Sequence, residues 1–135
     1  IVLSDWSSDV CSSDLREEGK GIIAFSPLAQ GMLTDRYLNG IPQDSRIRTD
    51  GRFLQEKTVQ AKMQKIQQLN EIAKERGESL AQMALKWVRK DEDVTSVLIG
   101  ASKPEQILEN LKVLESAAFT KEELEKIDEI VLKEN

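Results

Sequence analysis

Residues 94–111 read VTSVLIGASKPEQILENL, and this stretch decides the fold. Val94 to Ile99 is a short, β-branched, apolar run that reads as a strand. Gly100-Ala101 turns the chain straight into a helix start. Ser102 stands as a candidate N-cap, Pro104 lies near the first helical position, and Glu105 completes a capping box with the serine. Ile107, Leu108, Leu111 and Leu114 then form an apolar stripe at helical spacing.

Working outward, the same alternation recurs. Gly21-Ile22-Ile23-Ala24-Phe25 is a second short apolar run, ended by Ser26-Pro27, and reads as a buried strand. A stretch rich in Gly, Pro and Asp follows from Leu28 to about Gln55, longer than ordinary connections and of the kind that carries function. The spacing of Val59, Met63, Ile66, Leu69 and Ala73 predicts a helix from about Thr58 to Arg76, stopped by Gly77. Ser79 and Gln82 have capping-box spacing and open another helix, with Leu80, Met83, Ala84, Trp87 and Val88 on its apolar face. Leu85 and Ala81 widen that face, which predicts extensive burial. Thr120 and Glu123 open a last helix with Leu124, Ile127 and Val131 facing a core. The order is strand, long loop, helix, helix, strand, helix, helix, which points to a parallel α/β sheet.

The first fifteen residues, IVLSDWSSDVCSSDL, are different in kind. They carry five serines, three aspartates and no Lys or Arg, and fit neither a helical nor a strand period. They read as foreign sequence or as a disordered tail or loop, and the fold argument starts at Arg16. A chain of 135 residues with 32% charged and 39% hydrophobic residues fits a globular protein with one core. A net charge of -5 argues against a nucleic-acid binder. The single cysteine, Cys11, excludes an internal disulfide, and no apolar run approaches the roughly 18 residues of a membrane helix. The expected location is therefore cytoplasmic.

In α/β proteins ligands gather at the carboxyl ends of strands. Two segments qualify. In Gly100-Ala101-Ser102-Lys103 the glycine leaves room for an anion, the following helix offers free N–H groups and a positive dipole end, and Lys103 adds charge. This is the make-up of a phosphate clamp. The plainer alternative, an ordinary N-cap with a solvated lysine, stands beside it. In Ser26-Pro27-Leu28-Ala29-Gln30-Gly31 the Ser-Pro pair fixes a turn and Gly31 keeps space near the backbone. Arg36 and Arg46 downstream suit an anion, or are surface charge. No histidine exists, so neither a Ser-His-Asp arrangement nor a histidine-based metal site is available. No catalytic and no metal residues are assigned.

These segments also carry a likeness. GIIAFSPLAQGMLTDRY, followed by Asn39-Gly40-Ile41-Pro42, and VTSVLIGASKPEQILENL resemble the C-terminal region of the aldo-keto reductases. The branch is the one that holds bacterial glyceraldehyde-3-phosphate reductases and potassium-channel beta subunits. The resemblance runs from about Arg16 to the end. It implies the C-terminal portion of a (β/α)8 barrel that binds NADPH across its strand ends, Gly21 to Phe25 being the seventh strand and Val94 to Ile99 the eighth. It places Ser26, Leu28 and Gly31 around the pyrophosphate, and Arg36 at a basic position before the loop tyrosine, here Tyr37. Arg46 falls on a loop arginine that closes over the cofactor. Gly100, Ser102 and Lys103 fall on the segment holding the 2′-phosphate, and Gln106, Glu109 and Asn110 on that contacting the adenine end. Phe25 stands where a nicotinamide-stacking aromatic would precede Ser26. Nothing resembles the family's catalytic Asp, Tyr, Lys and His segments.

The implied function is reduction of aldehydes or ketones by hydride transfer from NADPH, this chain supplying the cofactor-holding part and being inactive alone. Two alternatives belong to other classes: a non-catalytic NADPH-binding regulatory subunit, and a small helical interaction module. A whole barrel takes roughly 250 residues, and two strands of eight leave sheet edges and helix faces open.

Overall fold

The structure is a computed structural model that describes residues 15, 17–38, 56–91 and 93–132. Two strands, β1 (Ile22–Phe25) and β2 (Val94–Leu98), are joined by the long connection and by helices α1 (Glu56–Glu75) and α2 (Leu80–Val88). After β2 come α3 (Pro104–Leu111), a 3-10 turn at Lys112–Leu114, and α4 (Lys121–Leu132). The strands pair in parallel, as the alternation of elements predicts, with Phe25 opposite Leu98 at their carboxyl ends. The register slips between Ile22 and Ile23, where Thr95 is the extra residue and its hydroxyl accepts the Ile22 N–H at 3.2 Å.

Local signals set the helix ends. Gly77 has φ +72, and the Gly77 and Glu78 N–H groups donate to the carbonyls of Lys74 and Ala73 at 2.9 Å each, a Schellman ending that satisfies the last carbonyls of α1. Ser79 Oγ accepts the Gln82 N–H at 3.2 Å, while Gln82 Oε1 accepts the Ser79 N–H at 3.1 Å. Thr120 and Glu123 make the same reciprocal pair at the start of α4. Each cap satisfies donors that a helix leaves orphaned at its first turn.

The buried core lies between α1, α2, α4 and the chain just after β1. Ile66, Leu69, Ile72 and Ala73 of α1 meet Leu80 and Met83 of α2, Ile127 of α4, and Met32, Leu33 and Tyr37. The last three belong to the stretch read from the sequence as a long loop, so its first part is a packed anchor. Met32 is 1% exposed.

Two expectations fail on burial. β1 is not a buried strand: Ile22 and Ala24 are half-buried, but Ile23 is exposed and Phe25 is 79% exposed. The stripe of α3 also stays in solvent, with Ile107, Leu108, Leu111 and Leu114 all exposed. A parallel sheet is stable when layers cover both faces. Among the described residues, helix α2 packs on β2, and no layer covers the face that carries Phe25 and Leu98.

A buried ionic cluster ties the ends of α1 and α4 together. Arg76, with a side chain 5% exposed, pairs with Glu78 at 3.0 Å and with Glu123 at 2.6 Å. Burial pushes the Glu123 carboxyl up, but the Thr120 N–H and the Arg76 guanidinium outweigh it, and its pKa lies below the ordinary value. A carboxyl whose folded-state pKa is depressed contributes stability above its unfolded pKa of about 4.3 and loses it as pH falls through the folded value. Urea midpoints of the chain should therefore fall more steeply below about pH 4 than those of Glu123→Gln. Parallel curves would show that Glu123 titrates alike folded and unfolded.

Candidate functional site

The parallel register places both strand ends on one edge of the sheet, so the segments starting at Ser26 and Gly100 leave it side by side. The first is held in an unusual backbone. Ser26, Ala29 and Gln30 have φ of 55, 60 or nearby values (48 for Ala29), and Gly31 has φ +91. Non-glycine residues in the left-handed region cost of order 1–3 kcal/mol each and persist where surroundings enforce them. Here the enforcement is visible. The Leu28 carbonyl accepts the N–H groups of Gly31 at 2.9 Å and Leu33 at 3.3 Å. Thr34 Oγ1 donates to the Gly31 carbonyl at 2.7 Å and accepts the Arg36 N–H at 3.3 Å. Met32, Leu33 and Tyr37 anchor the far end in the core.

Ser26 is exposed and Leu28 half-buried at this turn. Pro27 helps to wall an apolar cavity of about 140 Å³ with Leu80, Met83, Trp87, Ile127 and Val131. Arg36 is exposed on the 3-10 turn Asp35–Tyr37. Arg46 lies outside the described residues.

The second segment corrects the capping scheme. The N-cap of α3 is Lys103, not Ser102, and Gln106 takes the role expected of Glu105. Gln106 Oε1 accepts the Ser102 N–H at 2.8 Å, the Ser102 hydroxyl at 3.2 Å and the Lys103 N–H at 3.3 Å. The physical reason is Pro104: it starts the helix one residue later than a Ser102 cap requires, and a side chain three residues beyond the new cap reaches back. Lysine has no acceptor, so only the Gln106 half of the box is chemically real. The two N–H groups that suit an anion are thus already gathered around one oxygen.

Gly100 is exposed, and a Cβ built there meets no atom within 4 Å. Gly100→Ala should leave unfolding stability within about 0.5 kcal/mol, checked by urea titration, because nothing in the chain needs that space. A larger loss would mean that the glycine serves the fold.

On the next turns of α3, Gln106, Glu109 and Asn110 share a face by their i, i+3, i+4 spacing. Asn110 is buried, and Glu109 is held by two neighbours. Gln82 Nε2 donates to Glu109 Oε1 at 2.8 Å, and Lys112 Nζ pairs with Glu109 Oε2 at 2.6 Å. Gln82 itself escaped the sequence reading except as a capping residue. Its spacing from Ser79 was legible, but its approach to Glu109, 27 residues later, was not. Tyr37 is 3% exposed in the core. Among the described residues no helix is long and apolar enough to cross a membrane.

Comparison with known proteins follows the same outline. The sequence model of the aldo/keto reductase family matches residues 8–132. An L-glyceraldehyde 3-phosphate reductase of Escherichia coli is 50% identical over 119 residues, which is 85% of this chain and 34% of that protein. A putative voltage-gated potassium channel subunit beta of Schizosaccharomyces pombe is 42% identical over 118 residues, 84% of this chain and 34% of the relative. The chain thus spans about a third of the length of these relatives. A solved structure of a glycerol dehydrogenase from Gluconobacter oxydans superposes with a TM-score of 0.68 at 24% identity, over 87% of this chain and 36% of that one. The fold is therefore a C-terminal portion of a (β/α)8 barrel, with two parallel strands and their helices.

Proposed function

This chain belongs to the aldo/keto reductase family, and from that membership we propose that it supplies the cofactor-holding part of an NADPH-dependent carbonyl reductase. The observation that carries the reading is the parallel register, which brings a strained turn and a glycine-opened helix start to one sheet edge. Both suit an extended dinucleotide. The Ser26–Gly31 turn, with Pro27 and Leu28 fixing its course, wraps the pyrophosphate. Space at Gly100 admits the adenosine 2′-phosphate. Ser102 and Lys103 offer it N–H groups and a positive charge, taking over donors that Gln106 now holds. Arg36 and Arg46 add charge from the long connection. Phe25, exposed at the end of β1, offers a ring face to the nicotinamide.

Bound in this way, the dihydronicotinamide supplies hydride to an aldehyde or ketone. The proton donor is not assigned to this chain: it has no histidine, and its only tyrosine is buried in the core. A second reading, a non-catalytic subunit that binds NADPH, is supported by the identity to the fission-yeast channel subunit.

The test is fluorescence titration of the chain with NADPH, with NADH as control. Saturable binding that prefers NADPH supports the reading, and absence of binding to either refutes it for this chain. Lys103→Glu should weaken NADPH by about tenfold or more and NADH much less, because one charge-assisted contact to phosphate is replaced by repulsion. Equal losses for both would remove Lys103 from the 2′-phosphate.

A further inference from the structure

The apolar cavity of about 140 Å³ is walled by Leu69, Leu80, Met83, Ile127 and Val131, and by Trp87 near the end of α2. Its wall is mostly hydrocarbon. Asp128 also borders it, but this residue is exposed, which puts the carboxylate on the solvent side. The indole Nε1 of Trp87 is buried, and among the described residues nothing accepts its N–H.

An indole N–H can only donate. Buried donors of this kind normally find a partner, and leaving one unpaired costs more than a made bond returns. The ring is also held in place. Lys90 Nζ lies over it, 5.2 Å from the centroid, and the Ser79–Gln82 box fixes the start of the helix that carries it. Water is a poor occupant of the cavity, since a buried water needs about two to four polar partners. A dry cavity of about 150 Å³ is large enough to hold a benzene ring.

We propose that this cavity is a binding site for a small neutral molecule, a compact ring-sized hydrocarbon body with one hydrogen-bond acceptor for Trp87 Nε1. An acid is disfavoured, because its charge would leave water for apolar walls beside Asp128. An alcohol brings a donor that those walls leave unpaired. An ether or a ketone brings an acceptor alone and suits the cavity best. The site goes beyond the cofactor reading, and its test needs no dinucleotide.

The experiment titrates the chain with cyclohexanone and with methylenecyclohexane, which has the same shape but a CH₂ in place of the oxygen. Heteronuclear NMR follows the Trp87 indole N–H. Both ligands should bind saturably in the millimolar range, and only cyclohexanone should move the N–H resonance downfield. Trp87→Phe keeps an aromatic wall but removes the donor. It should weaken cyclohexanone by about fivefold, the worth of one neutral hydrogen bond, and methylenecyclohexane by less than about twofold. Ala84→Leu places a larger side chain on the cavity wall and should abolish binding of both. Absence of saturable binding overturns the proposal. So does an equal effect of Trp87→Phe on the two ligands, which would remove the indole as the anchor. Unchanged binding in Ala84→Leu overturns it too, because the ligand would then sit elsewhere. If Trp87→Phe does not fold, the resonance in the unsubstituted chain decides: a downfield shift with cyclohexanone alone supports the site, and the same response to both ligands overturns it.

Discussion

Arg76→Ala should destabilise the chain by about 3–5 kcal/mol, the largest loss expected from any single charge removal here. The guanidinium donates to Glu123 Oε2 at 2.6 Å, to Glu78 Oε1 at 3.0 Å and to the Ala117 carbonyl at 2.7 Å, and lies 4.3 Å from the centre of the Phe119 ring. Ser116 Oγ donates to the same Glu78 oxygen. Removing Arg76 therefore strands two carboxylates that are 10% and 24% exposed, together with a carbonyl. The penalty is that of uncompensated buried charge, which exceeds the net worth of the pairs themselves. Domains hold only about 5–15 kcal/mol, so the variant should be close to unfolding at room temperature. Arg76→Lys should fall between, since it keeps the charge but not the planar fork that serves three acceptors at once. Urea unfolding followed by circular dichroism measures both. A loss under about 1 kcal/mol for the alanine variant would show that water replaces the guanidinium and that the cluster behaves like a surface pair.

Ile127→Ala should cost about 3 kcal/mol, within the roughly 2–5 kcal/mol range of core truncations. Ile127 is the buried residue of α4, 4% exposed, and packs into the cluster with α1 and α2. It also borders the existing cavity of about 140 Å³, so truncation enlarges a void that helices pinned by caps and by Arg76 cannot readily close. Leu108→Ala is the natural contrast. Leu108 has the same kind of place on an apolar stripe, but it is 66% exposed, and its loss should stay within about 0.5 kcal/mol. The two urea midpoints decide the matter. Similar losses would mean that α3 packs against a layer the described residues do not supply.

The pair Ile127 and Leu108 marks how far the sequence could be read. Both stripes were legible from spacing, with nothing local to separate them. Ser79 with Gln82, Thr120 with Glu123, and Gly77 were legible because a cap or a Schellman ending is made by residues within one helical turn of each other. Both strands and their helices fall within about two residues of the periods that predict them. The start of α3 was misread by one residue, since Ser102 and Lys103 both fit a cap and the choice rests on where Gln106 folds back.

The candidate site divides in the same way. Gly100, Ser102, Lys103 and Gln106 are neighbours in the chain, and their grouping was legible. That Ser26 and Gly31 stand beside them depends on β1 lying parallel to β2 with Phe25 against Leu98. Gln82 against Glu109, and Arg76 between Glu78 and Glu123, depend on helices meeting across separations of 27 and 47 residues. What the sequence alone determined was the type, order and ends of the elements, because these follow from interactions within a turn or a strand. Only the tertiary structure decided which apolar faces are core and which polar side chains hold the site, because burial and long-range hydrogen bonds exist only once separate elements are packed together.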